Sequence, residues 1–220
     1  ICPLSEGITI TTSSAPSTGG QANVVFLQFD DDTVCGTSWN IGGTIISPGS
    51  GLTEDKKLEI FNHFKNTYVG HPKIFFTLDK AIYAAADNSY KHKLIFTTNS
   101  TWYGTAGGVA FVGSFNTGQP SWVFTELLNF VSRNCYVAGE HELGHALGLY
   151  HNSDSCKGYG FSRMCCDGVT RAPIMGGSYS DYQHYFYTPA KAQLWCIHSV
   201  ANNDCKPPDE DQIIENHIKQ

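Results

Sequence analysis

The chain has 220 residues, enough for one domain with its own core, and its 41% hydrophobic and 15% charged content excludes a disordered protein. A formal net charge of −6 argues against nucleic acid as the main partner. No apolar run reaches the length of a membrane span, and no repeat period is visible.

Residues 1–21, rich in Ser, Thr, Gly and Pro, read as an extended leading segment. Ala22 to Asp30 has strand composition and runs into the acidic turn Asp30-Asp31-Asp32. Closely spaced carboxylates there suit either a Ca2+ ion or a solvated turn. Residues 35–51 read as a glycine-rich loop around Trp39 with a short strand at Thr44-Ile45-Ile46. Thr53 caps a helix with Glu54 and Asp55 in its first turn and an apolar face of Leu58, Phe61, Phe64 and Tyr68. Lys73 to Asp79 and Lys93 to Thr98 read as strands, so the element order predicts a twisted sheet with helices on one side.

Gly107 to Phe115, with Gly107-Gly108 before Val-Ala-Phe-Val and Gly113 after it, suits an edge strand that another backbone can approach; an ordinary buried strand is the alternative. Trp122 to Asn134 is apolar and reads as helix or loop. Thr188 and Pro189 open a helix that runs to Val200. Pro207-Pro208 then closes a single domain over residues 1–206, leaving 207–220 as an acidic tail that reads as a short helix or a linker.

Cysteines stand at positions 2, 35, 135, 156, 165, 166, 196 and 205. An even count without C-x-x-C pairs reads as disulfides, hence a secreted or otherwise oxidising location; buried free thiols in a reducing compartment are the alternative. The opening Ile1-Cys2-Pro3 has neither an initiator Met nor a signal-peptide pattern, which suggests a removed leader and propeptide or a trimmed chain.

The chemistry concentrates between His141 and His151, which read H-E-L-G-H-A-L-G-L-Y-H. On a helix His141 and His145 project from one face, and two such imidazoles can share a zinc ion at about 2.0–2.1 Å. Glu142 is one step off that face and can reach a water on the metal without becoming a ligand. Glu140 points away from the metal face, toward solvent. Gly148 can take positive φ, stop the helix and turn the chain so that His151 returns as a third ligand. Three protein ligands leave a fourth position for water, the open arrangement of a catalytic zinc site. The plainer alternatives are an amphipathic helix with surface histidines and a noncatalytic zinc site.

The pattern H-E-x-x-H-x-x-G-x-x-H resembles the zinc signature of the metzincin metallopeptidases, which also carry a methionine-containing turn beneath the metal. Ala172-Pro173-Ile174-Met175-Gly176-Gly177 stands in the place of that turn, with Met175 24 residues beyond His151. The resemblance implies an α+β fold: a twisted, mostly parallel sheet with helices, the zinc-site helix at the cleft, the methionine turn and a C-terminal helix. It implies that Met175 is a hydrophobic floor under the metal and not a ligand. It implies that Gly108, Val109 and Ala110 hydrogen-bond extended substrate as an edge strand. Tyr179 would be an oxyanion donor or cleft residue. Asn152, right after the third histidine, departs from the Asp, Ser, Glu or Pro of adamalysins, matrixins, astacins and serralysins, and Gly177 stands where astacins and serralysins have tyrosine. The cysteines between His151 and Met175, with the run from Gly108 to Ser114, are most similar to an adamalysin-type domain. In some metzincin zymogens a propeptide cysteine fills the water position; Cys2 would take that role in a proenzyme, unless a disulfide holds it.

The expectation is a secreted zinc endopeptidase using one catalytic Zn2+, with Glu142 as general base. Its partners are a protein or peptide substrate and a removed propeptide, with no nucleic acid. A secreted binding or adhesion module with a noncatalytic zinc site is the alternative. Cysteine–histidine nucleophilic catalysis is the rival chemistry, and no cysteine stands in a recognisable nucleophile context.

Overall fold

The computed structural model of the chain describes residues 21–151, 163–164, 170–176, 183–185 and 209–218. Its strands are β1 (Asn23–Gln28), β2 (Asp32–Val34), β3 (Ile45–Ser47), β4 (Ile74–Thr77), β5 (Lys91–Thr97), β6 (Gly108–Val109), β7 (Ser121–Phe124), β8 (Arg163–Met164), β9 (Thr170–Pro173) and β10 (Gln183–Tyr185). Its helices are α1 (Glu54–Thr67), α2 (Lys80–Ala85), α3 (Ser132–Ala146) and α4 (Glu210–His217).

The architecture is mixed α/β around a five-stranded sheet ordered β4-β1-β5-β7-β6, parallel except for β6. Parallel neighbours cannot be joined by a hairpin, so the chain crosses through α1 between β1 and β4 and through α2 between β4 and β5. All six residues of β1 are buried, as in a strand covered on both faces. Alternation sends Val25 and Leu27 into the main core, with Ile60 and Phe64 of α1 and Ala138 and Leu143 of α3. Phe26 points to the other face and stacks on Tyr83 of α2 at 5.3 Å. A second cluster on that face joins Val34 and Ile45 of the β2–β3 pair to Trp39, Ile95, Trp122 and Phe124.

Several expectations change. Helices lie on both faces and not on one, because the six-residue α2 is too short to leave a periodic pattern. The buried face of α1 is Ile60 and Phe64, with Tyr68 just beyond, while Leu58 is exposed. The start of the Trp122–Asn134 stretch is strand β7, not helix or loop: an inner parallel strand is buried at every position and has no alternation to read. The Gly107–Phe115 strand shrinks to β6, which is the edge of the sheet. Beyond it the chain turns onto the end of α3, where Gly113 N–H donates to the His145 carbonyl (2.9 Å) and Phe115 N–H to that of Ala146 (3.0 Å).

The acidic turn disperses its charges. Asp31 Oδ1 accepts from Gly49 N–H at 2.6 Å, Asp32 Oδ2 from Lys93 Nζ at 2.7 Å, and Asp30 Oδ1 lies 3.6 Å from Lys57 Nζ. The carboxylates face three partners rather than one calcium position. Cys35 is disulfide-bonded, but Cys135 is a free buried thiol, so the reading of all eight cysteines as disulfides fails there. Among the described residues no helix is long and apolar enough to cross a membrane. The leading segment through residue 20, Cys2, Asn152, Cys156, Cys165, Cys166, Tyr179 and the helix from Thr188 to Val200 lie outside the described residues.

The acidic tail contains the short helix that is one of its two readings, and α4 with the following Ile218 packs into the main core, Ile214 among the buried residues. Its cap is Asp209, whose side chain accepts from Gln212 N–H at 3.2 Å. His71, just before β4, clamps it: Nδ1 donates to Glu215 Oε1 (2.7 Å) and Nε2 to Asp211 Oδ1 (3.2 Å). Two donating nitrogens require the imidazolium form. Burial by itself lowers the His71 pKa, but the hydrogen bonds and charges of Asp211 and Glu215 outweigh it and hold the group above the ordinary 6.5. A raised folded-state pKa contributes stability that is complete below 6.5 and lost as pH rises through the raised value. Protection factors of the α4 amides, taken relative to the intrinsic exchange rate at each pH, are therefore expected to be larger at pH 5.5 than at pH 8.5. In His71→Gln that difference shrinks and stability drops by about 1.5–3 kcal/mol. An unchanged pH difference in the variant would remove His71 from this role.

Candidate metal centre

α3 carries the site. It ends at Ala146, and Gly148 takes φ +94°. Gly148 N–H donates to the His145 carbonyl and Leu149 N–H to that of Gly144, both at 2.9 Å, the paired bonds of a Schellman stop. The sequence expectation for Gly148 thus holds, and His151 comes back beside the helix end.

The three histidines meet there. Ring centroids of His141 and His145 are 4.7 Å apart, those of His141 and His151 5.0 Å, and those of His145 and His151 4.6 Å. One ligand nitrogen from each lies within 4.8 Å of the others, a group that could hold a metal ion. The remaining nitrogens fix the rings. His141 Nδ1 donates to the Ile174 carbonyl (2.8 Å), and His145 Nδ1 to the Leu149 carbonyl (2.7 Å). A carbonyl only accepts, so each Nδ1 holds the proton and each Nε2 is left with its lone pair for a metal. His145 Nε2 faces His151 Nε2 at 2.9 Å.

Electrostatics favour neutral ligands. Burial, reinforced by the neighbouring His145, pushes His141 down to about 3. Burial also lowers His145 and His151. Neutral imidazole is the form that binds a metal, so this donor set fits a divalent ion with nitrogen preference, zinc among them.

Glu142 sits beside the imidazoles, buried, and burial pushes its carboxyl up to about 8. It lies against β6: a Cβ added to Gly108 would stand 2.7 Å from Glu142 Cγ and 2.9 Å from Oε1. Only glycine leaves room for that carboxylate at the sheet edge. Val109 completes β6 and packs on the aromatic cluster of the opposite face, and Ala110 follows directly after the strand. Met175, fully buried, lies under the helix turn between the first two histidines, where a Cβ on Gly144 would overlap its Sδ. Met175 thus packs against α3 at Gly144, between the first two histidines of the cluster.

Glu140 is the clearest miss. It is completely buried rather than solvated, and its Oε1 lies 2.7 Å from His63 Nδ1 on α1, whose ring stacks on Tyr136. A long-range partner in α1 leaves no mark on the local helical pattern. The carbonyls of Ile174 and Leu149 were also not foreseen, because a backbone acceptor has no residue-type signature. Cys135 offers no rival nucleophile: burial pushes its thiol up to about 12. The chain matches no protein-family model and no curated protein.

Gly144→Ala is expected to overpack the Met175 contact, costing about 1–3 kcal/mol in thermal unfolding and weakening metal uptake. Adding Met175→Ala to it should restore part of both. A Gly144→Ala protein with wild-type stability and metal affinity would show that the contact is slack.

Proposed function

We propose that the chain is a secreted zinc endopeptidase of the metzincin type. The observation that carries this reading is the convergence of His141, His145 and His151, each with a ring nitrogen available, next to a buried carboxylate and an edge strand. The metzincin signature and the parallel sheet with its antiparallel edge support the fold. The disulfide at Cys35 supports an oxidising location.

Zinc held by the three imidazoles would supply Lewis acidity, lowering the pKa of water from 15.7 to about 7 and polarising the scissile carbonyl. Glu142 accepts the proton of the attacking water as its oxygen adds to the carbonyl carbon, then delivers that proton to the amide nitrogen as the C–N bond breaks. Burial raises the basicity of the Glu142 carboxylate, which suits it to both halves of the transfer. Ile174 and Leu149 hold His141 and His145 in place through their carbonyls. β6 offers its free backbone edge to an extended peptide, with Gly108 beside the proton-carrying group.

Glu142→Gln is expected to keep a full equivalent of zinc and to lose peptide hydrolysis by about 10²–10⁴-fold. His145→Ala should lose both zinc and activity. Zinc content by atomic absorption, with chelator-reversible cleavage of a denatured protein, reads the two effects separately. Zinc-loaded wild type that cuts nothing would leave a binding module with a noncatalytic metal.

A further inference from the structure

Beside β6, on the face away from α3, lies an apolar surface that neither the metal centre nor the core requires. The Trp39 ring stacks on Phe111 at 3.9 Å and 20°, and meets Tyr103 edge-on at 6.3 Å and 86°. Trp39 is fixed from below by its Nε1 hydrogen bond to the Pro120 carbonyl at 2.8 Å, and its loop by Ser38 N–H on Gln119 Oε1 at 2.8 Å. Tyr103 and Phe111, which touch this buried base, are 47% and 39% exposed, and their near neighbours in the chain, Ile41 two residues after Trp39 and Val112 next to Phe111, are 103% and 42% exposed. Ile41 is a branched side chain held in the left-handed region, at φ 53° and ψ 39°, and left in solvent. Folding alone gives no reason for that choice, because Asn or Gly would suit this backbone better.

Two further observations point to what covers the shelf. The loops that build it lack charge entirely: neither residues 33–53 nor residues 94–125 contain any Asp, Glu, Lys, Arg or His. An ionic partner would find no counter-charge on these loops. The shelf is linked to the metal centre along the chain, since Phe111 lies two residues before Gly113, whose N–H is bonded to the His145 carbonyl. A peptide along the edge of β6 would alternate its side chains between the two faces of the sheet. A residue level with Gly108 faces Glu142; its neighbours along the strand face the side of Val109, Trp39 and Phe111.

We propose that the uncharged shelf of Trp39, Ile41, Tyr103, Phe111 and Val112 is a substrate-selecting subsite. It would take a large apolar side chain, aromatic or branched aliphatic, within three residues of the scissile bond. The proposal rests on the peptidase reading for its substrate, and it adds a class of sequence to be cut.

The test is a cleavage profile of the zinc-loaded full chain on a peptide library, run alongside Phe111→Ala and Ile41→Asn. Ile41→Asn removes an exposed group and suits the left-handed backbone, so it keeps the test open if Phe111→Ala folds poorly. The expected result is enrichment of Phe, Tyr, Leu or Ile over Asp, Lys or Gly by about tenfold at one position within three residues of the cut. That ratio falls several-fold in both variants while zinc content stays at one equivalent. Equal cleavage with charged or small residues at every such position, or a preference untouched in both variants, overturns the subsite and leaves the peptidase standing. A second arm measures binding of Phe-containing and Asp-containing peptides to zinc-loaded Glu142→Gln through tryptophan fluorescence. Phe111-dependent binding without any wild-type cleavage sinks the hydrolase reading and keeps the shelf. Phe111-dependent self-association in light scattering, with no peptide selectivity, makes the surface a contact between copies and overturns the proposal.

Discussion

The site depends on a chain reversal at one residue. An α-helix advances about 100° per residue, so a continued α3 would put His151 about 240° around the axis from His145, and the two rings could not meet. Gly148 breaks the helix in a conformation that costs other L-residues roughly 1–2 kcal/mol. The break does more than turn the chain. It caps the Gly144 and His145 carbonyls, and it brings the Leu149 carbonyl to His145 Nδ1. The same turn is braced from outside by α4, since a Cβ on Gly148 would stand 3.3 Å from His217 Nδ1 and 3.6 Å from Ile213 Cγ2. The C-terminal helix is thus part of what holds the third ligand near the other two.

Two buried glutamates, two residues apart on α3, have opposite fates. Glu140 is sealed in the core and bonded to His63, a pairing that serves packing between α1 and α3. Glu142 is buried against Gly108 with no hydrogen-bond partner among the described residues, and burial raises its pKa. Burying a carboxyl costs stability in its charged form, which loses hydration, and desolvation is what raises the Glu142 pKa. A fold selected for stability alone would pair it or replace it. In the proposed peptidase that cost would have a purpose, since a desolvated carboxylate near a metal can take and return a proton.

How much of this was legible depends on the range of each interaction. His141, Glu142, His145 and Gly148 were readable because helix geometry converts their spacing directly into a shared face and a stop. Met175 was readable only through resemblance, and its contact with Gly144 spans 31 residues of chain. β7 escaped because a strand buried on both faces shows neither alternation nor helical period. α2 escaped through shortness, and Glu140 because its partner sits 77 residues away. The acidic composition of residues 207–220 suggested a short helix or linker beyond the domain, yet Ile214 is fully buried in the core and His71 bonds Asp211 and Glu215. In each case the missing information was a tertiary partner, not a local preference.

The brevity of β6 links the metal centre to the aromatic shelf. A long, flat edge strand would template aggregation, and an edge of two residues avoids that hazard. The same brevity limits what backbone pairing can contribute to a bound peptide, because so short a strand offers few free amide and carbonyl groups. Each such bond exchanges a bond to water and yields only about 0.5–1.5 kcal/mol. Micromolar binding requires about 8 kcal/mol, so most of it must come from side chains packing on nearby apolar surface and from the metal itself. Among the described residues, exposed apolar surface near β6 is offered by Tyr103 and Phe111, which pack on Trp39, and by Ile41 and Val112 close to them in the chain. If the chain is the proposed peptidase, an edge kept short against aggregation would place the burden of recognition on the shelf beside it.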